Sequence, residues 1–159
     1  MTYNIFYWLH IISYFSWLAA FAASLFLAFK AGRAFKSPGE KKFIKWERKV
    51  TSIGAHLGAA GILISGWVMS VIPGGPQWGW FNIPLYNWLA IKQLLFIIIL
   101  ILVGFSIAKS ISFKKQISHD EGDLVSDQAR QKWKSAYTIS LVIYFLVAIN
   151  TWLGLAKPI

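Results

Sequence analysis

Four long runs of apolar residues, at 5–29, 53–71, 88–108 and 136–155, alternate along the chain with polar or turn-rich segments. Each run approaches or exceeds the roughly 20 residues with which a helix crosses about 30 Å of hydrocarbon. Helices of soluble proteins keep a polar face toward water, so a soluble domain of this length would not carry four such runs. The pattern predicts an all-α fold, a four-transmembrane-helix bundle forming one domain over residues 1–159, with no internal repeat. The first run has no basic segment ahead of it and ends in Lys30 rather than at a small-residue cleavage site. A signal peptide is built differently, so the N-terminal helix is expected to stay in the mature protein.

The polar segments set the orientation. Lys30, Arg33, Lys36, Lys41, Lys42, Lys45, Arg48 and Lys49 lie between the first two runs, and Lys109, Lys114, Lys115, Arg130, Lys132 and Lys134 lie between the last two. Segment 73–87, between the middle runs, carries no charge. Basic loops stay on the cytoplasmic side of a membrane, so both basic segments are expected in the cytoplasm and both termini outside. The net charge of +10 therefore reads as topology, with attraction to anionic lipid, rather than as a nucleic-acid surface. Tyr3, Tyr7, Trp8, Trp78, Trp80, Tyr86, Trp88 and Trp152 fall at the outer interface, and Trp46, Trp133 and Tyr137 at the inner one. Both sets match the belts that Trp and Tyr form at bilayer surfaces. The uncharged, Trp-, Gly- and Pro-rich stretch 73–84 is expected to lie in the outer interface and cap the bundle. Ser37-Pro-Gly marks a turn in the first basic segment, and the mixed charges of the second, with Asp120, Glu121, Asp123 and Asp127, suit an exposed helical hairpin or a mobile loop.

Composition removes several chemistries. The chain has no cysteine, which excludes disulfides, thiolate metal sites and c-type haem attachment. No phosphate-binding glycine loop, nucleophile triad or metal-hydrolase spacing is present. No carboxylate falls within an apolar run, so a transporter built on Asp or Glu relays has no candidate residue.

The ionisable residues inside the runs are few, and such residues face a partner, a cavity or a cofactor. Lys92 and His10 each lie a few residues inside the outer end of a run, with Met69, Asn150 and Thr151 in the same leaflet. His10, Tyr14 and Trp17 share one helical face. Gly54, Gly58, Gly61, Ser65 and Met69 recur at helical spacing and form a small-residue face ending in a thioether. That face suits either a flat macrocycle or close helix packing. Lys92 can snorkel to the headgroups, or neutralise a carboxylate such as a porphyrin propionate. His56 lies nearer the inner side, away from the glycine face, where it serves as a ligand to an inner cofactor or bonds a neighbour. His119 falls in the mixed-charge loop and reads as solvated.

The run Leu9-His10-Ile-Ile-Ser-Tyr-Phe-Ser-Trp17 has the pattern His-x6-Trp, and Trp88-Leu-Ala-Ile-Lys92-Gln-Leu-Leu has Trp-x3-Lys-x-Leu-Leu. With Arg48 just before the second run and Lys157-Pro158 after the fourth, the chain resembles the HemJ-type protoporphyrinogen oxidases, small four-helix membrane proteins that bind haem b. The resemblance implies oxidation of protoporphyrinogen IX to protoporphyrin IX in a bacterial inner membrane, with electrons passing to quinone. It implies His10 as the haem axial ligand, Lys92 as a second essential polar residue and Arg48 as a basic site near the cytoplasmic face. Trp17, Gly58, Gly61 and Met69 join His10 and Lys92 as expected haem contacts, and His56 joins His10 as a metal-ligand candidate. Lipid, porphyrinogen and quinone are the expected partners, together with a second copy of the chain or a larger membrane complex. The chain departs from the family after Trp17, where Leu-Ala-Ala replaces a Leu-Pro-Arg element, and at Ile53-Gly-Ala-His-Leu-Gly, where an Asn-Pro-like element is expected.

The CopD-type copper-resistance membrane proteins share the His-x6-Trp first helix, which keeps three functions in play. One is the enzyme, and one is a non-catalytic haem b electron carrier or respiratory-complex subunit. Copper transport ranks third, because soft ligands are limited here to Met1 and Met69.

Overall fold

A computed structural model describes residues 2–73, 81, 87–120 and 122–156. These residues form helices α1 (Thr2–Arg33), α2 (Pro38–Val50), α3 (His56–Val71), α4 (Asn87–His119) and α5 (Asp127–Ala156), with a π turn, Thr51–Ala55, joining α2 to α3 without a break. The described residues contain no strand. Four rods result, α1, α2–π–α3, α4 and α5, each long and apolar enough to cross a membrane. Over the apolar runs their outward faces carry large apolar side chains: Ile12, Phe15, Leu57, Ile101, Phe105 and Phe145 are all exposed, as lipid-facing residues are.

The helices outrun the apolar stretches that signal them. At about 1.5 Å per residue α4 is about 50 Å long, well beyond the hydrocarbon thickness, and α5 begins nine residues before the apolar run at 136. The segment expected as an exposed hairpin or a mobile loop is therefore the continuation of two membrane helices, with the reversal confined to residues 120–126. This hairpin is not simply exposed. Phe113, Ile117, Val125, Ala129 and Trp133 close on Ala31 of α1 and Ile44 of α2 to form a second core beyond the hydrocarbon runs. The strongly amphipathic α2 supplies the cover. It starts after the Ser37-Pro38 turn and buries Glu40, Ile44, Glu47 and Arg48 along one face.

The main core joins all four rods through Trp17, Ala55, Ile62, Ile99, Ile143, Tyr144 and Val147. Lipid tails are as apolar as these side chains, so close packing rather than burial from water holds membrane helices together. Here α1 packs on α3 and α4 on α5, and the two pairs meet mainly through side chains. The α1–α3 pair is an antiparallel zipper. Ser13, Trp17, Ala20 and Ser24 line the buried face of α1 opposite the small residues of the partner rod. A Cβ added at Gly54 would lie 2.6 Å from Ala20 Cβ, and one at Gly58 would lie 2.9 Å from Trp17 Cβ and 3.2 Å from the Ser13 carbonyl oxygen. At Gly61 it would overlap the Ser13 hydroxyl. The small-residue face is thus used for helix packing.

Several interface expectations gain positions. Tyr7, Trp8 and Trp152 near one end, and Trp46 near the other, are exposed as belt residues should be. Trp133 departs from the belt: it is buried in the second core. Trp78, Trp80, Tyr86 and the Lys157-Pro158 element lie outside the described residues, as does all of the 73–84 cap except Pro73 and Phe81.

Candidate functional site

The α1–α3 zipper positions His10 as its last rung toward the chain termini. One residue pair beyond Ser13 and Gly61, the imidazole meets Ser65 and Gly66. His10 Nδ1 and Ser65 Oγ are 2.9 Å apart, and a Cβ at Gly66 would lie 3.4 Å from His10 Cε1. Ser65 in turn donates to the Gly61 carbonyl, one turn back on its own helix. The Tyr14 ring packs edge-on to the imidazole at 5.1 Å, and Thr151 of α5 lies within hydrogen-bonding reach of the Tyr14 hydroxyl. The ring is therefore held by two helices and an aromatic neighbour.

Lys92 approaches from α4. Its ammonium lies against Gly154 of α5, where a Cβ would meet Nζ and lie 3.5 Å from Cε. The missing side chain at Gly154 thus leaves the space in which Lys92 lies against α5. The ammonium is within electrostatic reach of the His10 ring, and among the described residues it forms no ion pair. One turn before Gly154, Asn150 is 4% exposed and its Oδ1 has no hydrogen-bond partner among the described residues. His10, Tyr14, Ser65, Lys92, Asn150 and Thr151 thus gather at one level from all four rods. Sequence spacing suggested this convergence. The tether through Ser65 and the gap at Gly154 were not visible in it.

The remaining candidates scatter. Trp17 is 1% exposed and belongs to the central core, with its ring centroid 4.5 Å from that of Tyr144. Gly58 and Gly61 face Trp17 and Ser13. Met69 is half-buried one turn beyond Ser65. His56 is half-buried at the opposite end of α3, about 14 Å from the level of Ser65 by helical rise. Among the described residues no group of three or more His, Cys, Asp or Glu side chains assembles. Arg48 lies further still, about 25 Å below the Ser65 level, so Arg48 and Lys92 do not share a site.

Arg48 instead belongs to a second buried polar cluster, built around a carboxylate the sequence did not single out. Glu47 is fully buried and accepts from every side. Arg48 Nε donates to Oε2 at 2.6 Å and Nη2 to Oε1 at 2.7 Å. Ser24 and Thr51 donate to Oε1 at 2.7 and 2.9 Å. Trp133 Nε1 donates to Oε2 at 2.9 Å. One carboxylate thus ties α1, α2, the π turn and α5 together. A second pin lies further out, where Arg130 Nε donates to Glu40 Oε1 at 2.7 Å, assisted by Asp127 and capped by the Phe35 ring. The missed signal was the charge at Glu40 and Glu47 within a basic stretch: two acids one amphipathic face apart in α2, seven residues from each other.

A haem makes three demands: an axial nitrogen, positive charge for its carboxylates and a flat surface. The donor set meets the first two. Engagement of Nδ1 by Ser65 leaves Nε2 as the ligating nitrogen, the arrangement by which neighbouring hydrogen bonds orient metal-bound histidines. Lys92 is a positive charge at the same level with no ion pair among the described residues. The third demand is not met by Gly58 and Gly61, whose surface is filled by α1. Those two residues, with Trp17, pack within the zipper, where α1 side chains fill the space against the glycines.

No protein-family model, curated protein or solved structure matches the chain.

Proposed function

We propose that the chain is a haem-b-binding membrane oxidoreductase of the HemJ type, which oxidises protoporphyrinogen IX to protoporphyrin IX and passes the electrons to quinone. The observation that carries this reading is the tethered His10 imidazole within electrostatic reach of the Lys92 ammonium, which forms no ion pair among the described residues. An intramembrane lysine without a carboxylate is costly, and an anionic ligand at its level relieves that cost. Porphyrin carboxylates are such anions, and an imidazole oriented through Nδ1 is a fitted iron ligand. The bound haem would supply the one-electron chemistry that no side chain here can. His10 would hold the iron, Ser65 would hold His10, and Lys92 would fix a carboxylate of haem or substrate. Met69 is the sixth-ligand candidate on α3.

The distribution of Lys and Arg supports a cytoplasmic place for the basic ends of the rods, and the HemJ-type reading implies a bacterial inner membrane. His10 and Lys92 then lie in the outer half of the bilayer.

The test is an optical spectrum of the detergent-purified protein, oxidised and reduced, with haem type and stoichiometry determined. A b-type Soret band is expected in the wild type and its loss in His10→Ala. A wild type that stays colourless after haem is added overturns the reading. Haem binding without porphyrinogen turnover in the presence of quinone would make the protein an electron carrier or respiratory subunit.

A further inference from the structure

Helix α2 sorts its charges by face. Glu40 and Glu47 are buried and paired with Arg130 and Arg48. Lys42, Lys45 and Lys49 are exposed on the opposite side, with Trp46 among them. Positions 42, 45, 46 and 49 share one helical face, so this face carries three positive charges and no acid. Among the described residues none of the three lysines forms an ion pair. Their neighbour Lys41 differs: its ammonium donates to the carbonyl oxygens of Asp120 and Gly122 at 3.1 and 2.6 Å.

The same rod continues through the π turn into α3. The next exposed residues along it are Ile53 and Leu57, 51% and 68% exposed. From α3 toward α2 the outward side is therefore aliphatic, then an indole, then ammonium groups. A bilayer leaflet has that order: acyl chain, interface, phosphate. The Lys49 ammonium lies 5.3 Å from the centre of the Trp46 ring, which holds cation and indole together at the boundary.

Helix α1 repeats the order at the same depth. Ala20 faces Gly54, Thr51 donates to Ser24, and Ala31 packs with Ile44. Continued along the two rods, this antiparallel register sets Phe29 level with Trp46, Lys30 with Lys45 and Arg33 with Lys42. Phe29, Lys30 and Arg33 are exposed as well, and the Arg33 guanidinium lies 4.7 Å over the Phe29 ring. A water-soluble anion would meet the cations alone. A molecule with a phosphate at one end and acyl chains at the other meets the cations, the rings and the aliphatic side chains together.

We infer that the outward face formed by Lys42, Lys45, Trp46 and Lys49 is a binding site for an anionic phospholipid. The lysines hold its phosphodiester, its chains lie along Ile53 and Leu57, and Lys30 and Arg33 extend the cationic level on α1. This site stands whether or not the protein binds haem.

The chain has no cysteine, so Ile53→Cys supplies a single thiol on this face for a bimane fluorophore. The labelled full-length protein is placed in phosphatidylcholine vesicles containing equal amounts of either phosphatidylglycerol or phosphatidylcholine brominated on the acyl chains, and quenching by the two is compared. Brominated phosphatidylglycerol should quench more strongly. Its preference should fall about fivefold in Lys45→Gln, the contribution of one interfacial lysine, and vanish in Lys42→Gln/Lys45→Gln/Lys49→Gln. These lysines are exposed and make no ion pair among the described residues, so their variants should keep the wild-type Tm. Lys41→Gln removes the same charge from a side chain held by the hairpin, and should keep the preference. Equal quenching by both lipids before any lysine is changed, a preference that survives the triple change, or one lost as fully in Lys41→Gln would overturn the site and leave only the general attraction of a basic protein to an anionic membrane. Inorganic phosphate should compete no better than chloride at the same ionic strength. Stronger competition would make the ligand free phosphate and overturn the lipid assignment.

Discussion

The two buried polar clusters of this bundle differ in how their charges are met. At the basic end, Glu47 accepts five hydrogen bonds from four structural elements, and its charge is met by the adjacent arginine. Toward the termini, His10 has one side-chain tether and Lys92 has no ion pair among the described residues. A carboxylate engaged on every side rigidifies its surroundings and fixes one packing. A charge without an ion pair is what an oppositely charged ligand would use. The Glu47 network joins α1, α2 and α5 where two water-facing helices become membrane helices, and the His10–Lys92 level is where the proposed haem would bind.

The largest effect should come from breaking the Glu47 cluster on one side. Arg48→Met leaves the Glu47 carboxylate buried without its cation, a loss of about 3–5 kcal/mol. Low yield of folded protein and a collapsed Tm in detergent are expected, with partial recovery in the double variant Glu47→Gln/Arg48→Met. Recovery would show that the charge imbalance and not the side-chain volume is at fault.

A smaller loss should follow from wedging the zipper that carries His10. Gly58→Val drives side-chain atoms into Trp17 and the Ser13 carbonyl, an overpacking of about 1–3 kcal/mol. The expected result is a lowered Tm together with weaker haem uptake, because His10 is the end of the same helix contact. Weaker uptake with unchanged Tm would place Gly58 in the haem pocket after all.

Glu40→Gln should cost about 1–3 kcal/mol by weakening the paired hydrogen bonds to Arg130. Asp127 and the Val125 carbonyl still hold the guanidinium, so haem binding should be unchanged. Proteolysis within 120–126 should accelerate, which limited digestion followed by mass spectrometry would read out.

The smallest effect on stability belongs to the His10–Lys92 level. Lys92→Met replaces a half-buried cation that has no ion pair among the described residues with an apolar chain of similar length, and Tm should hold or rise. Haem or porphyrin affinity should drop about tenfold or more if the ammonium meets a carboxylate. Equal affinity for both proteins would reduce Lys92 to a snorkelling residue and separate it from His10 in function.

Much of this architecture was legible because membrane spans announce themselves by length and apolarity. The four rods follow the four runs, and the convergence of His10, Lys92, Asn150 and Thr151 followed from counting residues in from one end. The second core was not legible. Phe113, Ile117, Val125 and Ala129 sit among Lys, Gln and Asp residues, and their short apolar spacing reads as a surface hairpin until α2 is seen to cover it. Glu47 was hidden for a related reason: it lies outside the apolar runs, and only the continuity of α2 with the π turn carries it into the bundle. The glycine face was visible as a pattern, but its use was open between macrocycle and helix.

The sequence by itself determined which segments lie in hydrocarbon, because a backbone without water must satisfy itself as helix and only apolar runs of this length can do so. It also determined the depth of each polar group along its rod, since helical rise is constant. What the tertiary structure decided was rotation and pairing: that Gly58 faces Trp17, that His10 meets Ser65, that Arg48 spends its charge on Glu47 and that Lys92 lies against Gly154. In lipid no face of an apolar helix is preferred by solvent, so only close packing between rods selects which side chains meet.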